Sequence, residues 1–257
     1  MKRLYPVLLL LSFIACREQN SKTNIAPLQS MAVTKSVKEC LRDSICYSIG
    51  LNYPEFTGGP NPAATAAIND SLRQGVYSIL EVDQSLPIEA AFDAARAHMR
   101  NILKADLEMM PDVTDREYYN EVDGSMLWQN GQYLSVEMNA SGFTGGAHGY
   151  YGTALTTYDL KTGKSLLLSA LISDVEALRT MLGEAFVAEK KEMVPDVTLK
   201  DLLLEPEEPL ALPVNFCILP EGIRFIYNPY EVAPYAVGQT DIMLSWKQLG
   251  PIAKFKV

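Results

Sequence analysis

Apolar and polar residues change their period along the chain, and the changes divide it into blocks. From Ile45 the odd positions Ile45, Tyr47, Ile49, Leu51 and Tyr53 are apolar and the even ones Cys46, Ser48, Gly50 and Asn52 are small or polar. This two-residue alternation predicts a half-buried strand, which Pro54 is expected to end. Thr57-Gly58-Gly59-Pro60-Asn61-Pro62 reads as a turn. Ile68, Leu72, Val76, Ile79 and Leu80 then recur at helical spacing to about Glu81. Ile88, Phe92, Ala95, Met99, Leu103 and Leu107 form a second stripe that opens on Pro87 and stops near Pro111. His98 flanks that stripe and reads as a surface or boundary residue.

The next hundred residues read as strands. Met126 to Gln129 and Tyr133 to Phe143 flank Asn130-Gly131, a dipeptide suited to a two-residue turn with positive φ at both positions. His148 to Tyr158 and Ser165 to Leu168 flank a turn in which Gly163 can take the left-handed position. Asp174 is the expected cap of a third helix through Leu178, Leu182 and Phe186 to about Met193, and a shorter segment covers Leu199 to Leu204. Val214 to Leu219, Ile223 to Asn228 and Ile242 to Trp246 close the series as strands. Helices and strands in separate blocks predict an α+β fold, with antiparallel β-hairpins and sheet packed against three to four helices. One domain is expected over residues 39–257, with halves at 45–120 and 121–257.

The N-terminal pattern is of another kind. Lys2 and Arg3 precede an apolar run, Leu4 to Ile14, that is too short to span a bilayer and ends on Ala15-Cys16. This predicts a lipoprotein signal peptide over residues 1–15, with Cys16 becoming the acylated, palmitate-type anchor residue. The alternative is a plain secretory leader in which Cys16 is incidental. Both readings predict export, and the first predicts a membrane-anchored protein of the bacterial cell envelope, on its periplasmic or surface-facing side. Residues 16–38 are polar and without a period, as expected of a flexible tether spanning roughly 25 Å.

Charge narrows the partners. Of the 22 Lys and Arg, two lie in the leader, so 20 face 31 Asp and Glu in the mature chain, a net charge near −11. Nucleic acid and anionic headgroups are therefore not expected, whereas a cationic partner would be steered toward the surface. Cys40, Cys46 and Cys217 remain beside Cys16. Cys40 with Cys46 is the candidate disulfide, and Cys217 is the candidate buried thiol of an apolar strand. With two histidines and no C-x-x-C or H-x-x-x-H spacing, neither a metal nor a cofactor is expected.

Two segments are unlike ordinary connections. Ser141 to Tyr151 holds Gly145, Gly146 and Gly149 around His148, with Tyr150 and Tyr151 following. It reads either as a kinked strand crossing or as a ligand groove with His148, Tyr150 and Tyr151 as its polar contacts. Asn228 to Gly238 carries Pro229, Tyr230, Pro234, Tyr235 and Gly238, a stiffened loop presenting two tyrosines.

Phe143-Thr144-Gly145-Gly146-Ala147-His148-Gly149, Tyr158-Asp159-Leu160-Lys161-Thr162-Gly163-Lys164 and Asn228 to Gly238 resemble the signature blocks of a bacterial extracytoplasmic family of domains of unknown function. That family includes the ectodomain of the lysozyme-sensing anti-sigma-V factor and the non-catalytic N-terminal region of a peptidoglycan deacetylase. Tyr53-Pro54-Glu55-Phe56 and Ala67-Ile68-Asn69-Asp70 are similar to the half-domain that precedes those blocks, so the resemblance covers about residues 45–255. It implies an exposed groove and duties in the cell envelope, and it implies no reaction. Neither the anti-sigma factor's sigma-binding segment and membrane helix nor the deacetylase's catalytic aspartates and histidines are recognisable in these residues. The expectation is a lipid-anchored binding module for a lysozyme-like protein or a peptidoglycan fragment. An envelope assembly lipoprotein and a hydrolase using His148 are the alternatives.

Overall fold

The computed structural model describes residues 27–192 and 194–254. Its strands are β1 (Gln29–Arg42), β2 (Ile45–Thr57), β3 (Arg116–Gln129), β4 (Tyr133–Phe143), β5 (Tyr150–Asp159), β6 (Asn215–Leu219), β7 (Gly222–Tyr227) and β8 (Thr240–Ser245). The helices are α1 (Pro62–Ile79), α2 (Ile88–Met109), α3 (Leu168–Leu171), α4 (Val175–Lys190), α5 (Leu199–Leu202) and α6 (Trp246–Leu249). The class is α+β. β1 to β5 form one sheet in chain order and β6 to β8 a second. Pairing is antiparallel except between β2 and β3, which run parallel because α1 and α2 carry the chain back across the sheet between them.

Local chemistry starts each element. The Asn61 side chain accepts from the Ala63 backbone N–H ahead of Pro62, capping α1, and Asp174 accepts from the Glu176 and Ala177 N–H groups at the start of α4. The apolar stripes of α1 and α2 cover one face of the larger sheet, with Val76, Phe92, Met99 and Leu103 packed against Tyr47, Ile49 and Leu51. A second core joins α4 to the smaller sheet through Leu178, Leu182 and Phe186 against Ile223, Phe225 and Leu244. The sheets meet where β6 crosses β4 and β5. The Ser135 hydroxyl donates to the Ile218 carbonyl at 2.6 Å, and the Ile218 N–H donates to the Thr157 hydroxyl at 2.8 Å. Cys217 is buried beside Leu155 and Ile226 in the same seam.

Several expectations need correction. Residues 29–38 are not tether but most of β1, paired with β2 over its whole length. Val33, Val37 and Leu41 face the core, but Lys35 and Glu39 share that face and mask its periodicity. Helix α2 satisfies both charges: Lys35 pairs with Glu89 at 2.6 Å, and Glu39 pairs with Arg96 while accepting from the Tyr47 hydroxyl. The expected anchor residue Cys16 and the expected leader lie outside the described residues. Pro54 does not end β2. It lies beyond Asn52, the last residue paired to β3, so its missing N–H costs the parallel ladder nothing. Asn130 does not adopt positive φ. Gly131 does, at +83°, and the Asn130 side chain accepts from the Gln132 and Tyr133 N–H groups to close a three-residue loop. Ser165 makes one bridge to Tyr158 rather than a strand, since Leu168 already begins α3. Cys40 and Cys46 face each other across the β1–β2 hairpin and are joined by a disulfide.

Candidate functional site

The two unusual segments meet on one surface. The His148 ring stacks on Tyr235, with centroids 4.0 Å apart and planes at 21°. Tyr230 lies alongside at 6.4 Å from His148, and the Tyr151 ring meets Tyr235 edge-on at 5.7 Å. His148 Nδ1 is 2.8 Å from the Gly149 carbonyl, which can only accept, so Nδ1 carries a proton. Nε2 then faces the Tyr230 hydroxyl at 3.4 Å. Tyr230 is 57% and Tyr151 39% exposed, so the cluster offers flat amphipathic ring surface to solvent.

Backbone conformation holds the rings. Gly145 and Gly146 take φ of +104° and +89°, and Gly238 takes +74°. Gly149 has no positive φ, but a Cβ there would lie 2.7 Å from the Gly142 carbonyl. Tyr230 itself sits at φ +69°, inside a turn closed by its N–H donating to the Ala233 carbonyl at 3.0 Å. Pro234 precedes a short 3-10 turn, Tyr235–Val237, that aims Tyr235 at His148.

The loop is tied down by a residue in its first position. The Asn228 side chain accepts from the Thr153 N–H at 2.8 Å and donates to the Thr153 carbonyl at 3.0 Å, completing the free edge of β5 as another strand would. The Gln239 amide donates to the Thr153 hydroxyl and to Asn228 Oδ1, both at 2.9 Å. The buried Lys190 ammonium donates to the Gln239 carbonyl at 2.7 Å.

Residues 41–151 match the family described as Deacetylase PdaC, and residues 168–247 match the protein family of unknown function DUF3298. The chain thus carries a PdaC-like segment followed by a DUF3298-like segment. A DUF3298-family crystal structure from Bacteroides fragilis superposes with a TM-score of 0.69 at 20% identity, over 90% of this chain and 96% of that one. A second, from Pseudomonas aeruginosa, gives 0.61 at 16% identity with the same coverage. At such identities the likeness is one of fold. No curated protein sequence matches the chain.

The aromatic cluster straddles the two matched segments. His148 and Tyr151 come from the end of the PdaC-like segment, and Tyr230, Tyr235, Asn228 and Gln239 from the DUF3298 segment. Tyr150 is not part of this cluster. Alternation along β5 sends it to the opposite face of the sheet, where its hydroxyl donates to Asn120 Oδ1 at 2.8 Å. Burial, then the nearby Glu81 charge, raises its hydroxyl pKa. Asn120, Asn228 and Gln239 were not singled out as site residues in the sequence, because single amides carry no periodic signal. His98 lies at the surface as expected, with Nε2 3.3 Å from Glu81 Oε2. Among the described residues no group of three or more His, Cys, Asp and Glu side chains is arranged to hold a metal ion, and no helix is long and apolar enough to cross a membrane.

Proposed function

We propose that the chain is an exported, lipid-anchored envelope module whose aromatic cluster docks a basic wall-degrading protein of the lysozyme type. The observation that carries this reading is the exposed stack of His148, Tyr235, Tyr230 and Tyr151, four rings fixed to a sheet edge by Asn228. Pre-ordered aromatics lose little conformational freedom on binding and are the side chains on which protein contacts concentrate. The matches to the PdaC and DUF3298 family models support an envelope setting, and the excess of Asp and Glu favours encounter with a cationic partner. Docking is favoured over hydrolysis because the recorded partners of His148 are a carbonyl, a phenol and ring faces, whereas a hydrolytic base is usually oriented by a carboxylate.

Titration calorimetry of residues 17–257 with a C-type lysozyme at low and moderate salt tests the proposal. Saturable binding, weakened roughly tenfold or more by His148→Ala and Tyr230→Ala, is expected. No heat at either salt would remove this partner, and heat with soluble peptidoglycan fragments that His148→Ala abolishes would reassign the rings to a glycan.

A further inference from the structure

Behind the aromatic cluster, on the other face of β5, a cavity of about 260 Å³ opens between the end of α1, α2 and the strands β3 and β5. Its size is just below the ~300 Å³ at which pockets for drug-sized ligands begin, so it suits one ring rather than a polymer chain. The closed end is formed by Met99, 1% exposed, and Asn120, 7% exposed. Glu81 and His98 form its exposed mouth, their side chains 74% and 44% accessible.

The donors and acceptors facing this space are not used up. Asn120 Oδ1 accepts from Tyr150, but its amide nitrogen has two hydrogens and contacts only the Met99 thioether, at 3.7 Å, among the described residues. A thioether is a weak acceptor and takes one of the two amide hydrogens, so this residue of the cavity lining keeps donor capacity for a ligand. The Tyr150 hydroxyl, having donated to Asn120, retains lone pairs to accept with. Glu81 follows the last turn of α1 with φ +55°, a position usually filled by glycine, and its carboxylate lies 3.3 Å from His98 Nε2 at the mouth. Met99 and Ile102 add an apolar surface.

These groups select a class of ligand. The Glu81 carboxylate disfavours an anion, and a single carboxylate beside one histidine is a poor cation site. A neutral ligand is left, with a carbonyl for the Asn120 amide, an N–H or O–H for the Glu81 carboxylate, and a methyl or C–H face for Met99 and Ile102. We infer that this cavity is a second binding site, for a single neutral sugar ring carrying an acetamido group. The site is separate from the aromatic cluster and does not depend on the lysozyme reading.

Titration of the mature protein with N-acetylglucosamine, glucose and sodium acetate, followed by calorimetry and ligand-observed NMR, tests the inference. Saturable binding of N-acetylglucosamine in the millimolar range is expected, with glucose about tenfold weaker or worse and acetate without effect. Tyr150→Phe removes one oxygen and Glu81→Gln changes a group at the mouth. Each should retain the wild-type melting profile within a few degrees and weaken N-acetylglucosamine about tenfold. If Tyr150→Phe melts early, Glu81→Gln carries the test. His148→Ala removes the stack on the opposite face and should leave sugar binding within about twofold. Failure of N-acetylglucosamine to saturate by about 50 mM overturns the inference. So does equal binding of glucose, and so does undiminished binding in folded Glu81→Gln.

Discussion

Tyr150 on β5 reaches across β4 to hydrogen-bond Asn120 on β3, and it can do so because Gly142 lies between them. Gly142 is the cross-strand neighbour of both residues. A Cβ at Gly142 would sit 2.5 Å from Asn120 Oδ1 and 2.6 Å from the Tyr150 ring. The glycine is thus the condition for a polar contact spanning three strands, and for the wall of the cavity behind it.

Gly142→Ala is therefore expected to displace Tyr150 and destabilise the protein by about 1–3 kcal/mol. Gly75→Ala is the control: it lies in α1 with nothing within 4 Å of its would-be Cβ, and should stabilise by roughly 0.5–1 kcal/mol. Urea unfolding of both variants checks the pair, and opposite signs are the expected outcome.

Asn228→Ala should cost about 1–3 kcal/mol, since it leaves the Thr153 N–H and carbonyl on a bare sheet edge. Hydrogen exchange at Thr153 should quicken, and under the proposed docking the affinity for lysozyme should fall although no ring has been touched. Asn228→Asp should not rescue, because a carboxylate can accept from the Thr153 N–H but repels its carbonyl and the nearby Glu231.

Arg224 on β7 forks onto both Asp241 oxygens and also donates to Glu137 on β4, tying the two sheets together. The Glu137 side chain is only 16% exposed, so Arg224→Ala strands a half-buried carboxylate and should cost about 2 kcal/mol. Arg224→Lys should recover only part of that, since an ammonium cannot supply the fork. Thermal unfolding of the two variants distinguishes these outcomes.

Alkali should unfold the protein earlier than a surface-only titration would. Burial pushes the Cys217 thiol from 9.0 up to about 12 and the Tyr53 hydroxyl from 10.0 up to about 12, and it raises Tyr227 as well. Each raised group keeps its proton in the folded state where the unfolded chain would release it. That contribution is complete below about pH 9 and is lost as pH rises through 9 and 10 toward 12. Melting temperatures should be level from pH 7 to about 8.5 and fall above 9, with a shallower fall in Cys217→Val.

Periods of two and 3.6 residues, caps and turn residues are local properties, and the sequence by itself determined most of the elements from them. The stripes of α1, α2 and α4, the Asp174 cap, the alternation of β2 and the left-handed Gly163 are all legible. It also marked the segments around His148 and Tyr235, because clustered glycines and Pro-Tyr steps are locally unusual. Strand β1 was illegible, because Lys35 and Glu39 occupy its inner face and the helix residues that satisfy them lie more than fifty positions away. Only the tertiary structure decided that His148 and Tyr235 stack, that Asn228 completes the edge of β5, and that Tyr150 parts from Tyr151 to join Asn120. Such pairings depend on strand register and on which sheet faces meet, and those are fixed by packing between residues far apart in the chain.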